Sequence, residues 1–195
     1  MSLLKIANFK FEKLSFLLLF GLLTIYFLPF TANAQKRDNL TNEEDLIVRE
    51  VQEIDGRMQV FVKIIDRRLF ALTDPNAKTS KQAQKDTNND WGELRTGTIG
   101  ELFGDIQKTL DEAVGKIDDV AERDQKNPLF GKAVHVLSDG CTKWQPQFKI
   151  FLDKTSDDKD KGLILNSADI CAQIFEASKK VSAEVPKDDK KKKKN

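Results

Sequence analysis

The sequence predicts an all-α protein, a four-helix bundle of long, mostly antiparallel amphipathic helices, on three observations. Apolar side chains recur at steps of three and four through four long stretches, the period of a helix with one buried face. Each stretch opens on a capping signal, and a proline follows the first and the last. The connections after the second and third stretches are short, which favours antiparallel neighbours.

From Glu43 to Leu72 the apolar set is Ile47, Val51, Ile54, Met58, Phe61, Ile65, Leu69 and Leu72. That predicts a single helix about 45 Å long at 1.5 Å per residue. Thr41 with Glu44 has the spacing of a capping box, and Thr73-Asp74-Pro75 stops the helix because proline cannot continue it. Residues 74–90 are small or polar, with no large apolar side chain to order them, so a mobile surface loop is expected there. From Trp91 to Thr98, two glycines and two apolar anchors predict an ordered turn that packs Trp91 and Leu94 onto the bundle.

The second helix is expected from Ile99 to about Asp124, with Leu102, Ile106, Leu110, Ala113, Ile117 and Val120 on one face and a second capping box at Thr98 and Glu101. Gly100 and Gly104, four apart, have a spacing that lets helices approach closely, although in soluble proteins such a pair is more often incidental. Asn127-Pro128 is a cap followed by proline at the first helical position. The third helix then carries Leu129 or Phe130, Ala133, Leu137, Cys141, Trp144, Phe148 and Phe151 or Leu152, with a kink or short break expected at Pro146. Ser156, followed by Asp157 and Asp158, caps a fourth helix, since acidic side chains suit the positive end of the helix dipole. Its stripe is Leu163, Ser167, Cys171, Ile174, Ser178 and Val181, and Pro186 ends it.

Composition is that of a globular chain: 195 residues, 39% hydrophobic, 32% charged, formal net charge +1. The first 34 residues stand apart. Lys5, Lys10 and Lys13 precede an apolar run from Leu14 to Phe30 and then Ala32-Asn33-Ala34, the layout of a secretory signal peptide cleaved after Ala34. An uncleaved anchor is the alternative, although 17 apolar residues lie at the short end of what spans a bilayer. Cleavage removes three Lys and one Glu, leaving 29 basic and 30 acidic residues. No global field then draws the mature protein to nucleic acid or membrane. Residues 35–185 form the helical domain, and 186–195, with six lysines and two aspartates, are expected to be a disordered basic tail.

Both cysteines follow the signal peptide and so meet an oxidising compartment after export. If the third and fourth helices turn back near residue 156, Cys141 and Cys171 each stand 15 residues from the turn, level and on core stripes. A Cys141 to Cys171 disulfide is expected, with a chain-entropy contribution of about 3 to 4 kcal/mol. Two buried free thiols acting as small hydrophobes are the plainer alternative.

Chemistry is sparse. The only histidine, His135, lies two positions before Leu137 and off the stripe, so it reads as a surface residue. No G-x-S-x-G elbow, Glu-x-x-His repeat, C-x-x-C-H, phosphate loop or EF-hand loop is present. Met58 with His135 is a possible b-type haem pair that fits poorly, because His135 leaves the core face. Asp118, Asp119, Glu122 and Asp124 offer a weak divalent-ion site but read more simply as a solvated helix end beside Arg123, and Asp66-Arg67-Arg68 as charges flanking the first stripe. Asn39-Leu40-Thr41 matches a glycosylation sequon and overlaps the first cap. No catalytic, cofactor or metal residue is assigned.

The stretches Ile54-Asp55-Gly56-Arg57-Met58-Gln59-Val60-Phe61-Val62 through Arg67-Arg68-Leu69, Trp91-Gly92-Glu93-Leu94 with Gly97-Thr98, Asp111-Glu112-Ala113 and Ile117-Asp118-Asp119-Val120-Ala121-Glu122-Arg123 resemble a family of small exported bacterial proteins of unknown function. The resemblance covers most of residues 43–180 and implies no catalytic residues. The two cysteines and the lysine tail are not features of that family.

These features point to a non-enzymatic periplasmic or secreted protein that binds a protein partner or an envelope component. Self-association through Phe103, Phe130 and Ile150, which lie beside the stripes, is the simplest version. The alternative is a bundle whose core holds a small apolar ligand or haem. An enzyme is disfavoured by the missing nucleophile and base pairings.

Overall fold

Among the described residues helix forms in six pieces rather than four, five where the apolar rhythm runs and one in a polar stretch. The computed structural model describes residues 38–124 and 126–183. Its elements are α1 (Asn42–Glu50), α2 (Ile54–Thr73), a 3-10 turn (Ala77–Thr79), α3 (Lys81–Asn88), α4 (Ile99–Arg123), α5 (Phe130–Lys154) and α6 (Asp158–Ser178), with no strand among the described residues. No helix among them is long and apolar enough to cross a membrane. The expected signal peptide, 1–34, and the Lys-rich tail, 186–195, lie outside the described residues.

The four long helices enclose one core in which Met58, Phe61, Ile65, Ile106, Leu110, Leu137 and Trp144 are fully buried. α2 packs on α4 and α5, and α6 packs on the same two from the opposite side. Directions follow from residues that meet. Lys132 with Asp55 (2.6 Å) and Lys143 with Asp66 (2.7 Å) advance together, so α2 and α5 run parallel. Cys141 with Cys171 and Ser138 with Ser178 advance oppositely, so α5 and α6 are antiparallel. Gly100 faces Asp160 and Gly104 faces Leu163, which makes α4 and α6 parallel. Successive long helices therefore alternate in direction, while two of the four spatially adjacent pairs are parallel.

The expected 45 Å first rod is replaced by a reversal at residues 51–53, between α1 and α2. In one straight helix Glu44 and Arg68 would stand about 36 Å apart; here their side chains meet at 2.5 Å. Arg57 closes the turn by donating from Nε (3.1 Å) and Nη2 (2.8 Å) to the Val51 carbonyl, an acceptor that the end of α1 leaves free. The three-residue step from Val51 to Ile54 keeps the apolar period intact across the break, so periodicity alone does not reveal it.

Residues 74–90, expected as a surface loop, hold the 3-10 turn and α3. The 3-10 turn and α3 bury Ala77 and Ala83 beside Leu94, against Phe70 and Ala71. Asp86 is 4% exposed and bonded to Arg67, so charge supplies the order that apolar side chains do not. Asp90 (φ 65°) and Gly92 (φ 63°) turn the chain into the Trp91 to Thr98 segment, where Leu94 is buried and Trp91 half-buried, as expected of the two anchors.

Both capping boxes form. The start of α5 is shifted from the expected Asn127-Pro128 to Phe130, with the Asn127 side chain accepting from the Leu129 amide in a turn ahead of the helix. Asp157, not Ser156, caps α6 by accepting from the Asp160 amide at 2.9 Å. α5 passes Pro146 without a break. α6 ends at Ser178, ahead of Pro186.

Gly140 shows how tightly α5 is packed. A Cβ there would lie 2.7 Å from Trp144 Cη2 and 3.2 Å from Val62 Cγ2, and Trp144 is fully buried with its Nε1 donating to Asp66 at 2.7 Å. Gly140→Ala, which would stabilise an exposed helix by up to about 1 kcal/mol, should instead cost about 1–3 kcal/mol by overpacking. Urea unfolding of the variant against the parent measures the sign.

Candidate functional site

Among the described residues, a buried network of charges around α2 and an open groove between α4 and α6 depart from plain apolar packing. In the network, Glu44, Arg68 and Asp105 are at most 1% exposed and Arg67 and Asp86 at most 4%. Arg68 donates Nη1 to Glu44 Oε1 at 2.9 Å, Nη2 to Glu44 Oε2 at 2.5 Å and Nη2 to the Asn39 carbonyl at 3.0 Å. Its Nε stands 3.5 Å from Asp105. Arg67 shares Glu44, its Nε 3.4 Å from Oε1, and also reaches the other way, to Asp86 (3.2 Å) and to the carbonyls of Gly92 and Glu93 (3.1 and 3.0 Å). Lys63 pairs with Asp86 at 3.1 Å and stacks 4.0 Å over the Trp91 ring. Arg95 bridges Asp105, the Leu40 carbonyl and the Asp38 carbonyl.

Asp66-Arg67-Arg68 was expected to flank the stripe, and the two arginines instead lie inside it. A signal was present in the sequence: Arg68 stands at i+7 from Phe61 and i+4 from Ile64, and Asp105 at i+3 from Leu102, so both charges occupy core positions. Glu44 carried a second role hidden by the first, because its Oε2 also accepts the Thr41 amide in the capping box. Such a network is costly to desolvate and enforces geometry more than it adds stability.

At the opposite end of α2, Asp55 is 5% exposed and pairs with Lys132 of α5. The hydrogen bond from Lys132 holds the Asp55 carboxyl below its ordinary range against the opposing effect of burial, and the same bond raises Lys132. Glu43 is also held below the ordinary range, by its own backbone amide first and then by the Thr41 hydroxyl.

The groove has a volume of about 310 Å³ and is walled by Val114 and Ile117 of α4, Val134 of α5, and Ile170, Ile174 and Ala177 of α6, with Asp111, Asp118 and Gln173 completing the wall. Near the first turns of α4 and α6 a Cβ on Gly100 would fall 2.0 Å from Asp160 Oδ1, whereas one on Gly104 would only touch Leu163 at 4.0 Å, so one glycine of the pair admits a side chain of the neighbouring helix. The groove lies towards their C-terminal ends, where Gly115 has nothing within 4 Å of a Cβ position. It offers an apolar wall with two carboxylates and an amide, suited to binding and without a nucleophile and base pairing.

Cys141 and Cys171 are 1% and 0% exposed and meet at disulfide distance, with Cα atoms 5.2 Å apart. This joins the two helices at the level the hairpin arithmetic expects. His135 is half-buried rather than on the surface, and its Nε2 lies 3.0 Å from the Val181 carbonyl. Met58 is enclosed in the apolar core. Asp118, Asp119, Glu122 and Asp124 do not gather; Arg123 approaches Asp119 at only 3.9 Å, and no group of three potential metal ligands occurs among the described residues. Phe103, expected beside the stripe, is fully buried and edge-on to Phe148 (5.4 Å) and Phe151 (5.6 Å), so it is no contact surface. Phe130 is half-buried, and Ile150 stays 50% exposed.

No family model, no curated protein and no solved structure matches the chain.

Arg68→Met takes the best-placed cation from Glu44 and Asp105, leaving them only Arg67 and Arg95, each at 3.4 Å, and should cost about 3–5 kcal/mol in denaturant unfolding. Lys143→Met, which removes the more exposed pair with Asp66, should cost less than about 1 kcal/mol. For Asp55, a carboxyl depressed in the folded state stabilises above its unfolded value of about 3.9 and loses that contribution as pH falls through the folded value. Asp55→Asn should therefore be less stable than the parent at pH 7, and its midpoint should fall less steeply on acidification below about pH 4. Thermal melts across pH 2–7 read both effects.

Proposed function

We propose that this chain is an exported protein whose four long helices make a four-helix bundle, elaborated by α1 and α3, and that it acts without catalysis in the periplasm or as a secreted protein. Its work is to bind a protein or another component of the cell envelope. The observation that carries the binding role is the groove between α4 and α6. Val114, Ile117, Ile170 and Ile174 form an apolar wall open to solvent beside the core, and such openings with a few polar groups mark binding surfaces.

Two features support export. The lysines, apolar run and A-x-A site of residues 1–34 have the order of a secretory signal. The buried cysteine pair at disulfide distance suits an oxidising compartment. Among exposed apolar side chains, Ile150, Leu165 and Phe175 remain available for self-association, each 43–50% exposed.

Protein recovered from its own cell envelope should lack residues 1–34 and be two hydrogens lighter than the dithiol form by non-reducing intact mass. A tagged chain should retain envelope proteins that Ile170→Glu releases, with unchanged helical circular dichroism. A mass that includes residues 1–34 overturns export, and an identical captured set from both chains overturns the groove as the binding surface.

A further inference from the structure

We propose that the groove between α4 and α6 is the docking site of this chain's own C-terminal segment, residues 184–195. The described chain ends beside it. After α6, the Val181 carbonyl lies 3.0 Å from His135 Nε2, and a Cβ on Gly131 would fall 1.9 Å from the Ser182 carbonyl oxygen. Residues 181–182 thus lie against the first turns of α5, and Val134 of the same turns contributes to the groove wall. Twelve residues follow Ala183, an extended reach of up to about 40 Å, and Val185 stands within about 7 Å of Ala183.

Charge matches on both sides. Residues 187–195 carry six lysines and two aspartates, and residues 111–124 carry six acidic and two basic residues. Asp111 and Asp118, in the groove wall, form no ion pair among the described residues. Asp118 lies within two turns of the C-terminal end of α4, the end nearest the start of α5. Val185 and Pro186, just ahead of the lysines, are the right size to cover Ile117 and Ile174. Individual surface ion pairs are weak, but a tethered segment acts at a millimolar effective concentration. Docking itself stands on this placement and charge. Its consequence, that the segment competes with a partner for the groove, rests on the binding role proposed above.

Zero-length carbodiimide cross-linking of the full chain at low protein concentration tests it. Lysines 190–194 should join Asp111, Asp118, Asp119 and Glu122 within one molecule roughly tenfold more often than Asp139, Asp153 or Asp169, which are also exposed. The preference should fall as ionic strength rises from about 0.05 to about 0.5 M. Backbone amide resonances of Val114, Ile117 and Ile174 should move when Lys190→Gln to Lys194→Gln are made together. Cross-links spread evenly over exposed carboxylates, or formed between molecules, overturn the proposal, and so do unmoved groove resonances. If Ile170→Glu releases captured proteins while cross-links scatter, the groove keeps its binding role and loses its internal occupant.

Discussion

Arg68 is the side chain on which the N-terminal half is built. It sits at a core position of α2 with no exposed surface, and a guanidinium there must be surrounded by acceptors or it is not tolerated. Its partners come from three separate segments: Glu44 on α1 and the Asn39 carbonyl ahead of it accept its hydrogen bonds, and the Asp105 carboxylate on α4 stands 3.5 Å from Nε as an ion pair. Satisfying one buried cation therefore forces α1 to fold back along α2 and draws the chain before α1 towards α4, where Asn39 also reaches Thr109 and Glu112. Its neighbour Arg67 does the same for the segment after α2, gathering Asp86 and two carbonyls beyond Asp90. Apolar burial makes the rods; these two guanidinium groups decide where the connecting segments go.

The other half is assembled by different means. α5 and α6 are joined at Cys141 and Cys171, with Ser138 and Ser178 bonded at 3.1 Å further along the same seam. Small residues set the separations: Gly100 admits Asp160, Gly131 admits the Ser182 carbonyl, and Gly140 admits the Trp144 ring. Further along α4 and α6, towards their C-terminal ends, lies the groove. Placing these two helices side by side and parallel is a consequence of the α4 to α5 connection, which joins helices that pack little against each other.

The same arrangement sets Asp111 and Asp118 of α4 beside an apolar wall and brings the chain after α6 to the first turns of α5. Apolar surface there is still in contact with water, with polar groups at its border. The buried charges around Arg68, by contrast, already have one another as partners and serve the architecture.

By itself the sequence determined what depends on near neighbours in the chain. Helical segments, both capping boxes, the core stripes and the level of Cys141 with Cys171 all follow from periods of three and four and from local hydrogen bonds. Tertiary structure alone decided the reversal between α1 and α2, the packing of the 3-10 turn and α3, the parallel neighbours and the groove. Each of these turns on pairs far apart in sequence, such as Glu44 with Arg68 or Gly100 with Asp160. A charge on a core stripe announces that a partner must exist, but which segment supplies it is set by loop closure and packing, and no local pattern encodes those.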